Sequence, residues 1–138
     1  MKVIAFNGSG RKGGNTAILV ETVLNELSQE GIETEFIQLA GETLNGCIAC
    51  YKCFENKDRK CSIDKDNLNK YLAKMIEADG ILLGSPVYFT DVTSGIKALI
   101  DRCGLVSTAN GGLFKRKVGA AVVAVRRAGA IRTFDTLN

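Results

Sequence analysis

The chain has 138 residues, 46% of them apolar and 24% charged. That is the size and balance of one globular domain, and it excludes disordered and fibrous classes. Eighteen basic against fifteen acidic residues leave a net charge of +3, too mild to argue for nucleic acid. No apolar run approaches the roughly 20 residues of a membrane span. Histidine is absent, which removes Ser-His, Cys-His and His-metal chemistries together.

In chain order, Met1 to Asn7 reads as a first buried strand rather than a leader segment. The glycine-rich turn after it leads to a helix with Asn15 or Thr16 expected as its cap. Positions 17, 20, 23, 24 and 27 give that helix one apolar face, and Gly31 ends it. Ile32 to Leu39 alternates as a second strand. Residues 40–65 lack periodicity and read as a long insertion, a type of loop that is usually functional or disordered. Leu68, Tyr71, Leu72, Met75 and Ile76 restore helical spacing over 66–78. Gly80 to Gly84 is a third strand, Ser94 to Cys103 a helix, and Val118 to Val125 a fourth strand. Residues 129–138 open a further helix.

This alternation predicts an α/β domain with a doubly wound parallel sheet of order 2-1-3-4-5. The fifth strand is missing from residues 1–138. The single domain is therefore expected to be completed by further chain or by a partner.

The first loop, Gly8-Ser9-Gly10-Arg11-Lys12-Gly13-Gly14-Asn15-Thr16, lies between a strand and a helix, where backbone amides hold phosphate. A nucleotide P-loop is excluded because Gly14 stands where lysine is needed. The dinucleotide fingerprint is formally present at Gly8, Gly10 and Gly13. Gln38, however, occupies the strand end where an acidic residue would hold a ribose. A phosphate monoester suits the hydroxyl, amide and cationic donors of Ser9, Asn15, Thr16 and Arg11 or Lys12. A ligand-free turn is the plain alternative.

In a sheet of this order the ligand lies outside the carboxyl ends of strands one and three. The loop after strand three is Ser85-Pro86-Val87-Tyr88-Phe89-Thr90, with the only proline of the chain. Its rigidity and two aromatic side chains suit a flat ring, although one of the aromatics can equally fill core.

Four of the five cysteines, Cys47, Cys50, Cys53 and Cys61, fall within fifteen residues. With no secretory signal, a reducing cytoplasm and metal or redox chemistry are expected. The C-x2-C-x2-C core matches a ferredoxin-type cubane site, with Cys61 as fourth ligand. Zinc and free or disulfide-forming thiols are the alternatives. The segment has few apolar residues, so ordering of 46–62 is expected to depend on the metal. Lys52, Lys57, Arg59 and Lys60 lie among Glu55, Asp58 and Asp64 as a solvated surface or a docking patch for an acidic carrier such as ferredoxin. Cys103 reads as a small buried hydrophobe.

The motif Ser9-x-Arg11-x-x-x-Asn15-Thr16, taken with Ser85 to Phe89, Lys97 and Asp101-Arg102, resembles the NADPH-dependent FMN reductase group of the flavodoxin-like superfamily. The cysteine segment is similar to that of the iron–sulfur flavoproteins. The resemblance implies FMN, with its phosphate at Ser9, Arg11, Asn15, Thr16 and Ala17. Ring contacts are implied from Pro86, Val87, Tyr88 and Phe89, and from the loop at Arg127 to Gly129. It also implies a [4Fe–4S] cluster on the four cysteines, NAD(P)H or ferredoxin as redox partner, and a homo-oligomer, dimer or tetramer. No membrane or nucleic-acid partner is expected. Two alternatives stand beside this: an NAD(P)H-dependent FMN or quinone reductase without a cluster, and a metal-binding interaction module.

Overall fold

Val3 to Asn7 are buried without exception, the burial expected of a central strand covered on both faces. A computed structural model describes all 138 residues and places this strand, β1 (Lys2–Asn7), between β2 (Glu33–Gln38) and β3 (Gly80–Pro86). β3 in turn pairs with β4 (Val118–Ala124). Every pairing is parallel, and the order is β2-β1-β3-β4, as a flavodoxin-like sheet requires. In register, Ala5 lies opposite Phe36 on one side and Leu82 on the other.

Alternate residues of β1 serve opposite layers. Ile4 and Phe6 join Leu68, Tyr71, Leu72 and Met75 of α3 (Leu68–Glu77) and Ile96, Leu99, Cys103 and Val106 of α4 (Ser94–Ala109). Val3 and Ala5 face the other way, onto Val20 and Leu24 of α1 (Asn15–Gln29). Burying the valine, leucine, isoleucine, phenylalanine and methionine side chains among these stabilises the fold by about 1.5–3 kcal/mol each relative to exposure. A short turn of helix, α2 (Lys52–Asn56), interrupts the cysteine segment, and α5 (Ala130–Leu137) lies along β4. No helix is long and apolar enough to cross a membrane.

The cap of α1 differs from expectation. Gly14 occupies it, with no side-chain cap bond, and Asn15 and Thr16 already have helical geometry. Their side chains are thereby released from capping. Gly8 has a packing role: a Cβ there would lie 2.1 Å from Ile96 Cγ1, so only glycine lets the end of β1 approach α4 this closely.

Candidate functional site

The strand order reverses between β1 and β3, and at their carboxyl ends lies a cleft of about 620 Å³. Ser9, Arg11, Gly14, Asn15 and Thr16 line it from the first loop, Pro86, Val87 and Tyr88 from the loop after β3, and Ala124, Val125 and Arg126 from the end of β4.

The first loop is folded around its own polar groups. Ser9 N–H donates to Asn7 Oδ1 at 3.0 Å, and Arg11 N–H donates to Ser9 Oγ at 3.1 Å. Asn7 Nδ2 donates to Gln38 Oε1 at 2.8 Å, and Gln38 Nε2 donates to Ser9 O at 2.8 Å. Gln38, which counted against a ribose at this position, is thus the second strand's brace for the loop. The first intrahelical bond of α1 runs from Ile18 N–H to Gly14 O at 3.1 Å. No acceptor in the chain takes the amides of Asn15, Thr16 and Ala17, which point out of the positive end of the helix. The Ser9 hydroxyl still has its proton to donate, Thr16 is buried at 2% exposure, and the Asn15 side chain is exposed. Unpaired amides, hydroxyls and Arg11 along one cleft wall are donors of the kind that a phosphate dianion takes.

The loop after β3 is held just as firmly. Thr93 N–H donates to Ser85 Oγ at 3.1 Å, and Val87 N–H donates to Ala124 O at 3.1 Å. Tyr88 and Asp91 exchange two backbone bonds that close a tight turn, with Phe89 and Thr90 in left-handed geometry at its tip. Tyr88 is half exposed along the cleft, and Phe89 projects wholly into solvent. Gly129, at φ +94°, packs where a Cβ would lie 2.8 Å from Thr90 Cα and 2.9 Å from Val87 Cγ1. It therefore supports this loop from behind. Ala17, Phe89, Arg127 and Gly129 lie outside the cleft lining, and Arg126 reaches it where Arg127 was expected to contribute. Ala17 is buried in α1, and its backbone N–H has no partner within the chain. Arg126 carries no motif signal; only the position of β4 in the sheet could have pointed to it.

The four clustered cysteines line one small cavity of about 20 Å³, with Ile48, Tyr51, Ser62, Ile63, Arg102, Leu105 and Val106. Cys53 is buried on α2, Cys61 is half-buried, and Cys47 and Cys50 are exposed on the outer arm. No pair is joined as a disulfide. Ala49 and Tyr51, both left-handed, turn the backbone on either side of Cys50. The Ser62 hydroxyl lies 3.2 Å from Cys50 Sγ. That contact, aided by the Lys52 amide, holds the Cys50 thiol below the usual range. Burial pushes the Cys53 thiol up. Arg102 Nε donates to Cys61 Sγ at 3.3 Å.

No three cysteine or acidic side chains close on a point where one ion would sit. A single zinc, whose ligands must meet at one centre, fits this arrangement poorly. A cubane instead takes its four thiolates on separate irons around a void and accepts hydrogen bonds at sulfur. All four cysteines line the one cavity, and the polar contacts there fall on Cys50, from the Ser62 hydroxyl and the Lys52 amide, and on Cys61, from the Arg102 guanidinium. Cys103 takes no part: it is 1% exposed, and burial pushes its thiol up to about 12.

Residues 1–138 match the family model described as NADPH-dependent FMN reductase. The chain is 48% identical over its whole length to an iron–sulfur flavoprotein of Methanocaldococcus jannaschii, and covers 70% of that protein. It is 40% identical over 89% of its length to an iron–sulfur flavoprotein of Archaeoglobus fulgidus, and covers 58% of it. Among solved structures it resembles RosB with a bound 8-demethyl-8-formylriboflavin-5'-phosphate intermediate. The TM-score is 0.75 at 20% identity, over 99% of this chain and 56% of RosB, a likeness of fold.

Proposed function

The chain belongs to the NADPH-dependent FMN reductase family of FMN-dependent oxidoreductases. From that premise we propose that it passes electrons between FMN in the cleft and a [4Fe–4S] cluster on Cys47, Cys50, Cys53 and Cys61. The observation that carries this reading is the pairing of two sites on one sheet: a phosphate receptor at the β1–β3 switch point, and a cavity ringed by four thiols beside α4. When bound, the flavin exchanges one or two electrons and the cluster exchanges one.

The protein's own part is binding and orientation. The hydroxyls of Ser9 and Thr16, the Asn15 amide group, and the backbone N–H groups of Asn15, Thr16 and Ala17 hold the phosphate, with Arg11 as counter-charge. Pro86, Val87 and Tyr88 present a rigid wall to the ring and exclude water from one side. Arg126 lines the opposite side of the cleft, while Phe89 and the Arg127–Gly129 loop lie beyond its lining. The donor is NAD(P)H, or a small acidic carrier of the ferredoxin kind docking on Lys52, Lys57, Arg59 and Lys60. The active form is a homo-oligomer, dimer or tetramer, working in a reducing cytoplasm.

A second reading, a flavin reductase without a cluster, is favoured by one observation. The cysteine segment has anchors of its own, Cys53 in the core and Arg102 with its partners, so its order does not depend on metal alone. Family membership sets aside the third reading, an interaction module. The visible spectrum of anaerobically reconstituted protein separates the first two. Flavin bands over a broad iron–sulfur shoulder support electron transfer between two cofactors, and flavin bands alone support the cluster-free reductase.

A further inference from the structure

Arg102 is the largest fully buried side chain of the molecule, and none of its surface reaches water. We propose that it is the positioning residue of the cysteine segment. It clamps both arms of the segment to α4 and places a fixed positive charge beside the Cys61 sulfur. The second half of this inference rests on the cluster reading above; the first does not.

The guanidinium makes four hydrogen bonds, and all go to the segment or its closing residues. Nη1 donates to Asp66 Oδ2 at 2.5 Å and to Asn45 O at 3.1 Å. Nη2 donates to Ile63 O at 2.8 Å, and Nε to Cys61 Sγ at 3.3 Å. Asn45 stands two residues before Cys47, and Ile63 two after Cys61, so one cation gathers both ends of the loop. Asp66, itself buried, relays the hold: it accepts from Asn45 N–H at 3.1 Å and from Leu68 N–H at the start of α3 at 3.2 Å. Cys61 is fastened a second time, by paired bonds of 2.8 and 2.9 Å with the Asn69 side chain.

Neutralising a buried guanidinium needs only the carboxylate. The remaining N–H groups are spent on two carbonyls of the segment and on a sulfur, a distribution that fits a loop holder better than a simple ion pair. Charge and hydrogen bonds at cluster sulfurs set the reduction potential. A cation beside Cys61 favours the more negative, reduced cluster, whereas the Asp66 carboxylate opposes it.

Two measurements on the full chain test this. The first uses metal-free protein. In Arg102→Met the amides of Asn45 and Cys61 should exchange hydrogen about tenfold faster or more, with Arg102→Lys in between. FMN content, carried by a different loop, reports that the fold is intact. Unchanged exchange at both amides overturns the clamp.

The second is a redox titration of the reconstituted cluster followed by electron paramagnetic resonance. Arg102→Met should lower the potential and Asp66→Asn should raise it. Should Arg102→Met fail to hold iron, Arg102→Gln, which also removes the charge but keeps hydrogen-bond donors, gives the same opposition of sign against Asp66→Asn. Shifts in one direction, or none, overturn the charge role. A wild-type chain that takes up no iron instead overturns the cluster reading, and leaves the exchange result to decide the clamp.

Discussion

Thr93 Oγ1 donates to Gly8 O at 2.8 Å, joining the loop after β1 to the loop after β3 across 85 residues. Gly8 N–H donates to Gly84 O at 2.8 Å, and Thr93 N–H to Ser85 Oγ, so the two walls of the cleft are one hydrogen-bonded unit. Thr93→Val keeps the shape but leaves the buried Gly8 carbonyl without this donor. It should cost about 1–3 kcal/mol of stability, read by urea unfolding, and weaken FMN binding in parallel. Unchanged stability would show that the two walls are held together in another way.

The exposed Asn15 side chain makes no bond within the chain, so Asn15→Ala leaves folding untouched and reports on the ligand alone. FMN affinity should fall by about 1–3 kcal/mol, the range for a hydrogen bond to a charged group. Riboflavin, which lacks the phosphate, should bind as before. Equal losses for both ligands, measured by fluorescence titration, would place the phosphate elsewhere.

Thiol chemistry should follow the environments of the sulfurs. In metal-free protein near neutral pH, Cys50 is exposed and its thiol is lowered by Ser62, whereas Cys103 is buried and pushed up to about 12. Iodoacetamide labelling mapped by mass spectrometry should mark Cys50 first and Cys103 last, only after unfolding. Early labelling of Cys103 would contradict its burial in the α4 core.

Glu35 on β2 accepts from Lys74 Nζ at 2.5 Å and lies 3.4 Å from Lys2 Nζ. The Lys74 ammonium holds its carboxyl below the ordinary 4.5. A depressed folded value means that the stabilisation is present above the ordinary value and is lost as pH falls through the folded one. With both side chains partly in water, its size should be under about 1 kcal/mol. Glu35→Gln should therefore flatten the fall in urea midpoint between neutral pH and pH ~3. An unchanged slope would assign acid sensitivity to other carboxylates.

Most of the scaffold could be read from local pattern. The unbroken apolar run Val3 to Phe6 declared a strand covered on both sides. The spacing of Ala17, Val20 and Leu24 declared the inner face of α1. Ser9 and Asn15 were visible because donors clustered in a strand-to-helix turn. The contacts that hold the sites together were not visible. Thr93 to Gly8, Gln38 to Ser9 and Arg102 to Asn45 join residues far apart in sequence, and each depends on the packing of whole elements. Arg102 sits on an otherwise apolar helix face, and its burial follows only once the insertion folds over it. Helix capping also escaped, since Asn15 and Thr16 are good cap residues, yet Gly14 takes the position and frees them to face the cleft.

The proposed electron transfer needs one chain to carry both a phosphate-anchored flavin and a cluster on Cys47, Cys50, Cys53 and Cys61. Its most direct test is iron, acid-labile sulfide and FMN measured together on anaerobically reconstituted protein. The expected result is about four irons per FMN, loss of iron but not of FMN in Cys61→Ser, and no change in Cys103→Ser. Zinc, or no metal, beside a full complement of FMN would contradict it and leave a reductase that works by flavin alone.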